Sequence, residues 1–98
     1  MSYAVVMVFE GVTEQDYWNV NTKLGIDKDG NGDWPKGMVA HAGGPSGDGG
    51  WVVIEAWDSK ESQEQFMATR LGAALAACQI PAPSQVIETN PANTKYLG

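Results

Sequence analysis

Two runs in this chain are apolar on both faces of an extended backbone, and they limit the folds available to it. Residues Tyr3–Phe9 read Tyr-Ala-Val-Val-Met-Val-Phe, and Trp51–Trp57 read Trp-Val-Val-Ile-Glu-Ala-Trp. Both are rich in β-branched and aromatic residues, and the second is interrupted only by Glu55. Such runs predict central strands, because an edge or one-sided strand alternates apolar with polar. The second run is followed by Asp58, a candidate helix N-cap, with Glu61 three residues on as its capping-box partner. Phe66, Leu71, Ala74, Leu75 and Cys78 then form the apolar stripe of a helix. A strand apolar on two sides that feeds a helix apolar on one predicts that the helix covers one sheet face. The other face needs a different cover.

The remaining segments supply the other elements. Thr13 is a plausible N-cap, with Glu14 and Asp16 where the helix dipole favours negative charge. Tyr17, Val20, Asn21 and Leu24 follow at i, i+3, i+4 and i+7, and Gly25 suits the C-cap. Segment 26–36 is a loop dense in Asp, Asn and Gly. Segment 37–43 predicts a short strand with Val39 and His41 on one face and Met38, Ala40 and Ala42 on the other. The Gly-rich segment 43–50 predicts a hairpin connection flexible enough to act as a lid. Pro81 and Pro83 end the helical stretch, and 84–89 predicts a final strand with Val86 and Glu88 opposite Ile87. Segment 90–98 is a polar tail whose sizeable apolar residues are Tyr96 and Leu97.

The order strand, helix, strand, strand, helix, strand, with right-handed crossovers, places both helices on one face of a four-stranded antiparallel sheet. This predicts an α+β ferredoxin-like domain spanning 1–98, with the first and third strands central. Its open face would stay apolar, and a second copy packed sheet to sheet is the economical cover, so the expected assembly is a homodimer forming an α/β barrel.

Charge and cysteine content narrow the partners. Six Lys and Arg against twelve Asp and Glu give a formal net charge of −6, which repels phosphate backbones and argues against nucleic acid. No apolar run approaches the roughly 20 residues of a membrane span. The first residues show no basic segment before an apolar core, which predicts no signal peptide. The single cysteine, Cys78, forms no internal disulfide, suits a reducing cytoplasm, and is expected in the core.

His41 and Glu55 are the candidates for chemistry. His41 is the chain's single histidine, and histidine is the side chain whose ordinary pKa lies near neutrality. Glu55 sits inside an apolar strand and needs a partner there. It either orients His41 as a general acid or base, or forms an interface salt bridge to Arg70 or a lysine. Tyr17, Trp18, Trp57 and Phe66 are the expected walls of a pocket for a flat, apolar ligand. Segment 27–33 matches the first half of a calcium loop, yet position twelve is Met38 in place of the closing Glu, so no metal site is expected.

The segment 5–13 (VVMVFEGVT) followed by Tyr17, the segment 41–45 (HAGGP), and the segment 51–59 (WVVIEAWDS) followed by the helix carrying Phe66 resemble the dimeric α/β-barrel superfamily. That superfamily includes small antibiotic-biosynthesis-monooxygenase-like proteins. The resemblance spans nearly the whole chain as a pattern of elements and transfers no catalytic residue. It implies a small enzyme without a cofactor, acting on an aromatic or polyketide-like molecule. The alternative is a non-catalytic dimeric module that binds a small ligand. Among related activities, one histidine fits poorly with cyclases that use several and with a haem site.

Overall fold

The computed structural model describes residues 2–95, so Tyr96 and Leu97 of the expected tail lie outside the described residues. Strand β1 (Tyr3–Phe9) leads through a Thr13 cap into α1 (Glu14–Leu24). Thr13 Oγ1 accepts from the Asp16 amide, while Asp16 Oδ2 accepts from the Thr13 amide, so each satisfies an orphan donor of the other. Gly25 ends α1 in the left-handed region at φ 81°, where its amide bonds back to the last turn.

Strands β2 (Met38–Pro45), β3 (Trp51–Trp57) and β4 (Gln85–Thr89) complete one antiparallel sheet in the order β2-β3-β1-β4. The ferredoxin-like arrangement with β1 and β3 central is therefore present. Along those two strands every second side chain is buried beneath the helices: Tyr3, Val5, Met7 and Phe9 beside Trp57, Glu55, Val53 and Trp51. The alternate residues, among them Val6, Val8, Val52 and Ile54, form the other face. Ile54 is 54% exposed, and Ile87 of β4, paired with Val6, is 53% exposed. That face is apolar and open in the single chain.

Three local features depart from the sequence expectations. Ser59, and not Asp58, caps the second helix: its hydroxyl accepts from the Ser62 amide. The Asp58 amide instead closes the strand end by donating to the Gly37 carbonyl. Helix α2 (Lys60–Phe66) then passes through a π-helical stretch, Met67–Leu71, into α3 (Gly72–Ala77). Phe66 and Leu71 are five residues apart, a spacing that an α-turn separates and a π-turn aligns. Strand β2 also runs to Pro45, so the hairpin turn shrinks to a Ser46–Gly50 closure. The expected flexible lid is thus partly strand.

A bulge between Met38 and Ala40 inserts Val39 into β2. One extra residue reverses the side-chain parity. Met38 and His41, expected on opposite faces, consequently both face the helices, opposite Trp57 and Glu55.

The core is anchored by Trp57, 1% exposed and packed at 5.6 Å on Phe66. Trp57→Ala is expected to destabilise the chain by about 3–5 kcal/mol, read from urea unfolding. A loss below about 1 kcal/mol would show that the ring is not core.

At the edge, Tyr3 Oη donates to Glu88 Oε2 at 2.6 Å. Burial and the Glu88 carboxylate push the Tyr3 phenol from 10 up to about 12. Folding therefore favours the neutral phenol. Its stabilising contribution is complete below pH 10 and is lost as pH rises through about 12. The stability difference between wild type and Tyr3→Phe should shrink over that interval in chemical unfolding measured at several pH values.

Candidate functional site

Between the helices and the sheet lies an apolar cavity of about 60 Å³. Met7, Phe9, Val53 and Phe66 are among the apolar walls, and Tyr17, Asn21, His41 and Glu55 bring polar groups to it. A cavity dominated by apolar side chains with a few convergent polar atoms is the usual form of a small-molecule site.

The polar groups are joined in series. Trp57 Nε1–H donates to Glu55 Oε1 at 3.0 Å, and His41 Nδ1 lies 3.2 Å from Glu55 Oε2. On the far side of the imidazole, Nε2 is 2.6 Å from the Tyr17 hydroxyl. Glu55 is 4% exposed, and both its oxygens face nitrogen donors. A carboxylate acceptor at Nδ1 fixes the hydrogen of a neutral imidazole there. Nε2 is left bare to accept from Tyr17 O–H. Burial raises the Tyr17 pKa; the Asn21 side chain opposes that rise and the Glu55 charge adds to it. Tyr17 thus remains a phenol, hydrogen-bonded to His41 Nε2.

Each partner is placed by the backbone. Register pairs His41 with Glu55 across β2 and β3, and the Val39 bulge turns His41 inward. Tyr17 descends from the first turns of α1 onto Gly43 of β2. A Cβ at Gly43 would stand 2.8 Å from the Tyr17 ring, so this strand position has no room for a side chain. Tyr17 lies nearly parallel to His41 at 6.1 Å and packs on Trp51 at 5.0 Å.

Other residues singled out from sequence fall elsewhere. Phe66 lines the cavity with Tyr17, whereas Trp57 lies behind Glu55 as its hydrogen-bond donor and lines no part of the cavity. Trp18 packs edge-on against Tyr17 at 5.1 Å and donates to Glu14 at the surface, outside the cavity. Arg70 does not meet Glu55; it lies 3.4 Å from Asp33. Cys78 is half-buried against the core.

Sequence reasoning missed Trp34, Met38 and Trp51 as walls. The loop preceding β2 delivers the first of these. Asp27 Oδ1 accepts from the Asp29 and Asn31 amides, so the calcium-like residues form a turn for their own backbone. Among the described residues no three His, Cys, Asp or Glu side chains converge as metal ligands. Arg70 Nη2 ties the loop down by donating to the carbonyls of Leu24 at 2.9 Å and Asp33 at 2.6 Å. Trp34 then reaches within 5.3 Å of the His41 ring.

No family model and no curated protein matches this chain. Solved structures do. One is a Chloroflexus aurantiacus J-10-fl protein provisionally described as an antibiotic biosynthesis monooxygenase, with TM-score 0.67, 18% identity and 100% of both chains covered. A Deinococcus radiodurans protein with the same provisional description aligns at TM-score 0.56 and 10% identity, over 100% of this chain and 99% of its own. The protein YJCS aligns at TM-score 0.66 and 6% identity, over 93% of this chain and 99% of its own. The chain shares their fold. Among its described residues no helix is long and apolar enough to cross a membrane.

Gly43→Ala should force the Tyr17 ring off the strand and cost about 1–3 kcal/mol of stability in urea unfolding. Loss of the Tyr17 contacts to His41 in its NMR spectrum should accompany that cost. An unperturbed Gly43→Ala variant would show that the ring has room to move.

Proposed function

We propose that this chain is a small cofactor-free enzyme of the antibiotic-biosynthesis-monooxygenase-like type, acting on an aromatic or polyketide-like molecule that carries an acidic hydrogen. The observation behind this reading is the Glu55–His41–Tyr17 series ending in an apolar cavity. The likeness of fold to proteins provisionally described as antibiotic biosynthesis monooxygenases supports the same class.

In this reading the substrate proton passes to Tyr17 Oη as the Tyr17 hydroxyl proton passes to His41 Nε2. Tyr17 ends unchanged, His41 ends as imidazolium, and Glu55 holds the new positive charge. The raised Tyr17 pKa suits a neutral relay, since no phenolate accumulates. The substrate anion then has two outcomes. Returned to a different carbon, the proton completes an isomerisation; where the carbanion instead adds to a carbonyl carbon of the same molecule, a ring C–C bond forms and the proton goes to the resulting alkoxide oxygen. With dioxygen as co-reactant, the carbanion forms a C–O bond and takes the proton back as a hydroperoxide. Loss of water, with O–O cleavage, then converts a CH₂ group to a carbonyl.

The test is deuterium incorporation from D₂O, and oxygen uptake, with a series of aromatic ketones and phenols of graded acidity. Wild type should exchange hydrogens adjacent to the activating group. His41→Ala should slow this by about a hundred- to ten-thousand-fold, and Tyr17→Phe should slow it as well. Equal exchange in wild type and His41→Ala would end the proposal. Binding without exchange or oxygen uptake would favour the alternative, a ligand-binding module.

The same reading includes a homodimer covering the open sheet face, where Val6, Ile54 and Ile87 stand together. Ile54→Lys should shift the species seen in sedimentation from dimer to monomer, while leaving the helix-side cavity intact. A wild-type monomer would remove the dimer from the proposal.

A further inference from the structure

The cavity holds about 60 Å³, whereas an apolar cavity that accepts benzene measures about 150 Å³. A ring therefore enters only if part of the wall moves. Met7, Phe9, Val53, Phe66 and Leu71 are buried on strands and helices packed into the core. A second, open concavity beside β2 is lined by Trp34, Met38, Val39, Ala40 and His41. Trp34, Met38 and His41 border both spaces and so stand between the cavity and solvent. His41 is pinned by Glu55 and Tyr17, and Met38 is paired with Trp57 in the sheet. Trp34 belongs to the loop before β2. Its indole N–H donates to the Gly30 carbonyl at 2.8 Å, a bond inside the loop that moves with it. The loop also closes on itself, through the Ile26–Gly32 bridge and the Asp33 amide on the Gly25 carbonyl. Among the described residues, its hydrogen bond to the second helix is Arg70 Nη2 to the Asp33 carbonyl at 2.6 Å, with the Asp33 carboxylate 3.4 Å away.

We infer that Trp34 sets the size of ligand the cavity admits, and that Arg70 is the latch that holds it in place. Small apolar ligands occupy the cavity with the loop latched. Ring-sized ones require the loop to swing outward, with the Asp33 contacts to Arg70 broken. Only the fraction of chains with the loop displaced is competent for a ring, so the apparent ring affinity falls by that fraction. Arg70 itself lines no part of the cavity. Its removal changes the competent fraction and leaves unchanged the surface that the ring meets. The inference concerns access, and it holds equally for binding alone and for proton transfer.

Fluorobenzene and xenon test this as a pair, one a ring and the other a single apolar atom that needs no displacement. Arg70→Met keeps an apolar stem against Phe66 and deletes the donors. Fluorobenzene affinity, read by fluorine NMR, should tighten about three- to thirtyfold in Arg70→Met. Xenon affinity, read from the methyl resonances of Val53 and Leu71, should stay as in wild type. In a Trp34→Ala background Arg70→Met should no longer change fluorobenzene affinity, because the obstacle is already gone. Should Arg70→Met not fold, Arg70→Lys, whose shorter reach weakens the contact, should give the same tightening in smaller degree. Unchanged fluorobenzene affinity, equal tightening of both probes, or an Arg70 effect undiminished by Trp34→Ala would overturn the inference. So would absence of fluorobenzene binding from wild type and every variant. His41-dependent exchange is read independently, so loss of the latch leaves the proton-transfer reading standing.

Discussion

A carboxylate in the middle of an apolar strand is the constraint on which the site depends. Glu55 is buried beneath the helices, where an unpartnered carboxylate costs several kcal/mol. Strand geometry brings two donors to it. Trp57, two residues along on the same face, supplies one, and His41, directly across the pair, supplies the other. Satisfying Glu55 orients His41, which in turn leaves Nε2 free to hold Tyr17. Tyr17 can sit there because β2 carries glycine at position 43. A structural requirement of the core and the orientation of His41 are therefore the same set of hydrogen bonds.

Irregular backbone shapes the cavity around that series. Without the Val39 bulge His41 and Met38 would face opposite ways, and Glu55 would lose its cross-strand donor. In the second helix the π-helical stretch aligns Phe66 with Leu71 as cavity walls and carries Arg70 between them. Arg70 lies 5.7 Å from the Phe66 ring and reaches the carbonyls of Leu24 and Asp33. One side chain thereby fixes the loop that brings Trp34 against His41. Bulges and π-turns each insert a residue into a regular ladder, and both concentrate where a side chain must be re-aimed.

The regular parts of the fold were legible because their signals are redundant. Two strands apolar on both faces, a Thr13 cap, a Gly25 stop and the α1 stripe all pointed to the arrangement observed. The pairing of His41 with Glu55 was legible as chemistry, since each is unusual where it stands. Whether the two share a face was not legible. Parity counted from Met38 misplaced the strand, and no residue type marks the insertion at Val39. The second helix was legible as a helix, but its cap was not. Asp58 and Ser59 are both good capping residues, and a choice between adjacent candidates depends on where β3 stops pairing. Trp57 and Trp51 illustrate a further limit. Alternation shows that both face inward, but not which indole N–H finds an acceptor.

The two sheet faces separate the proposed dimer contact from the proposed chemistry. Glu55, His41 and Trp51 lie on the helix side, and Ile54, Val6 and Ile87 lie on the other, because adjacent strand residues point in opposite directions. A second copy seated on the open face would bury apolar surface and stiffen β1 and β3 without placing a side chain between Tyr17 and His41. Its influence on the site would be indirect, through the register that holds His41 opposite Glu55. A change to the open face and a change to the Glu55–His41–Tyr17 series are therefore physically separable, even though Ile54 and Glu55 are neighbours in the chain.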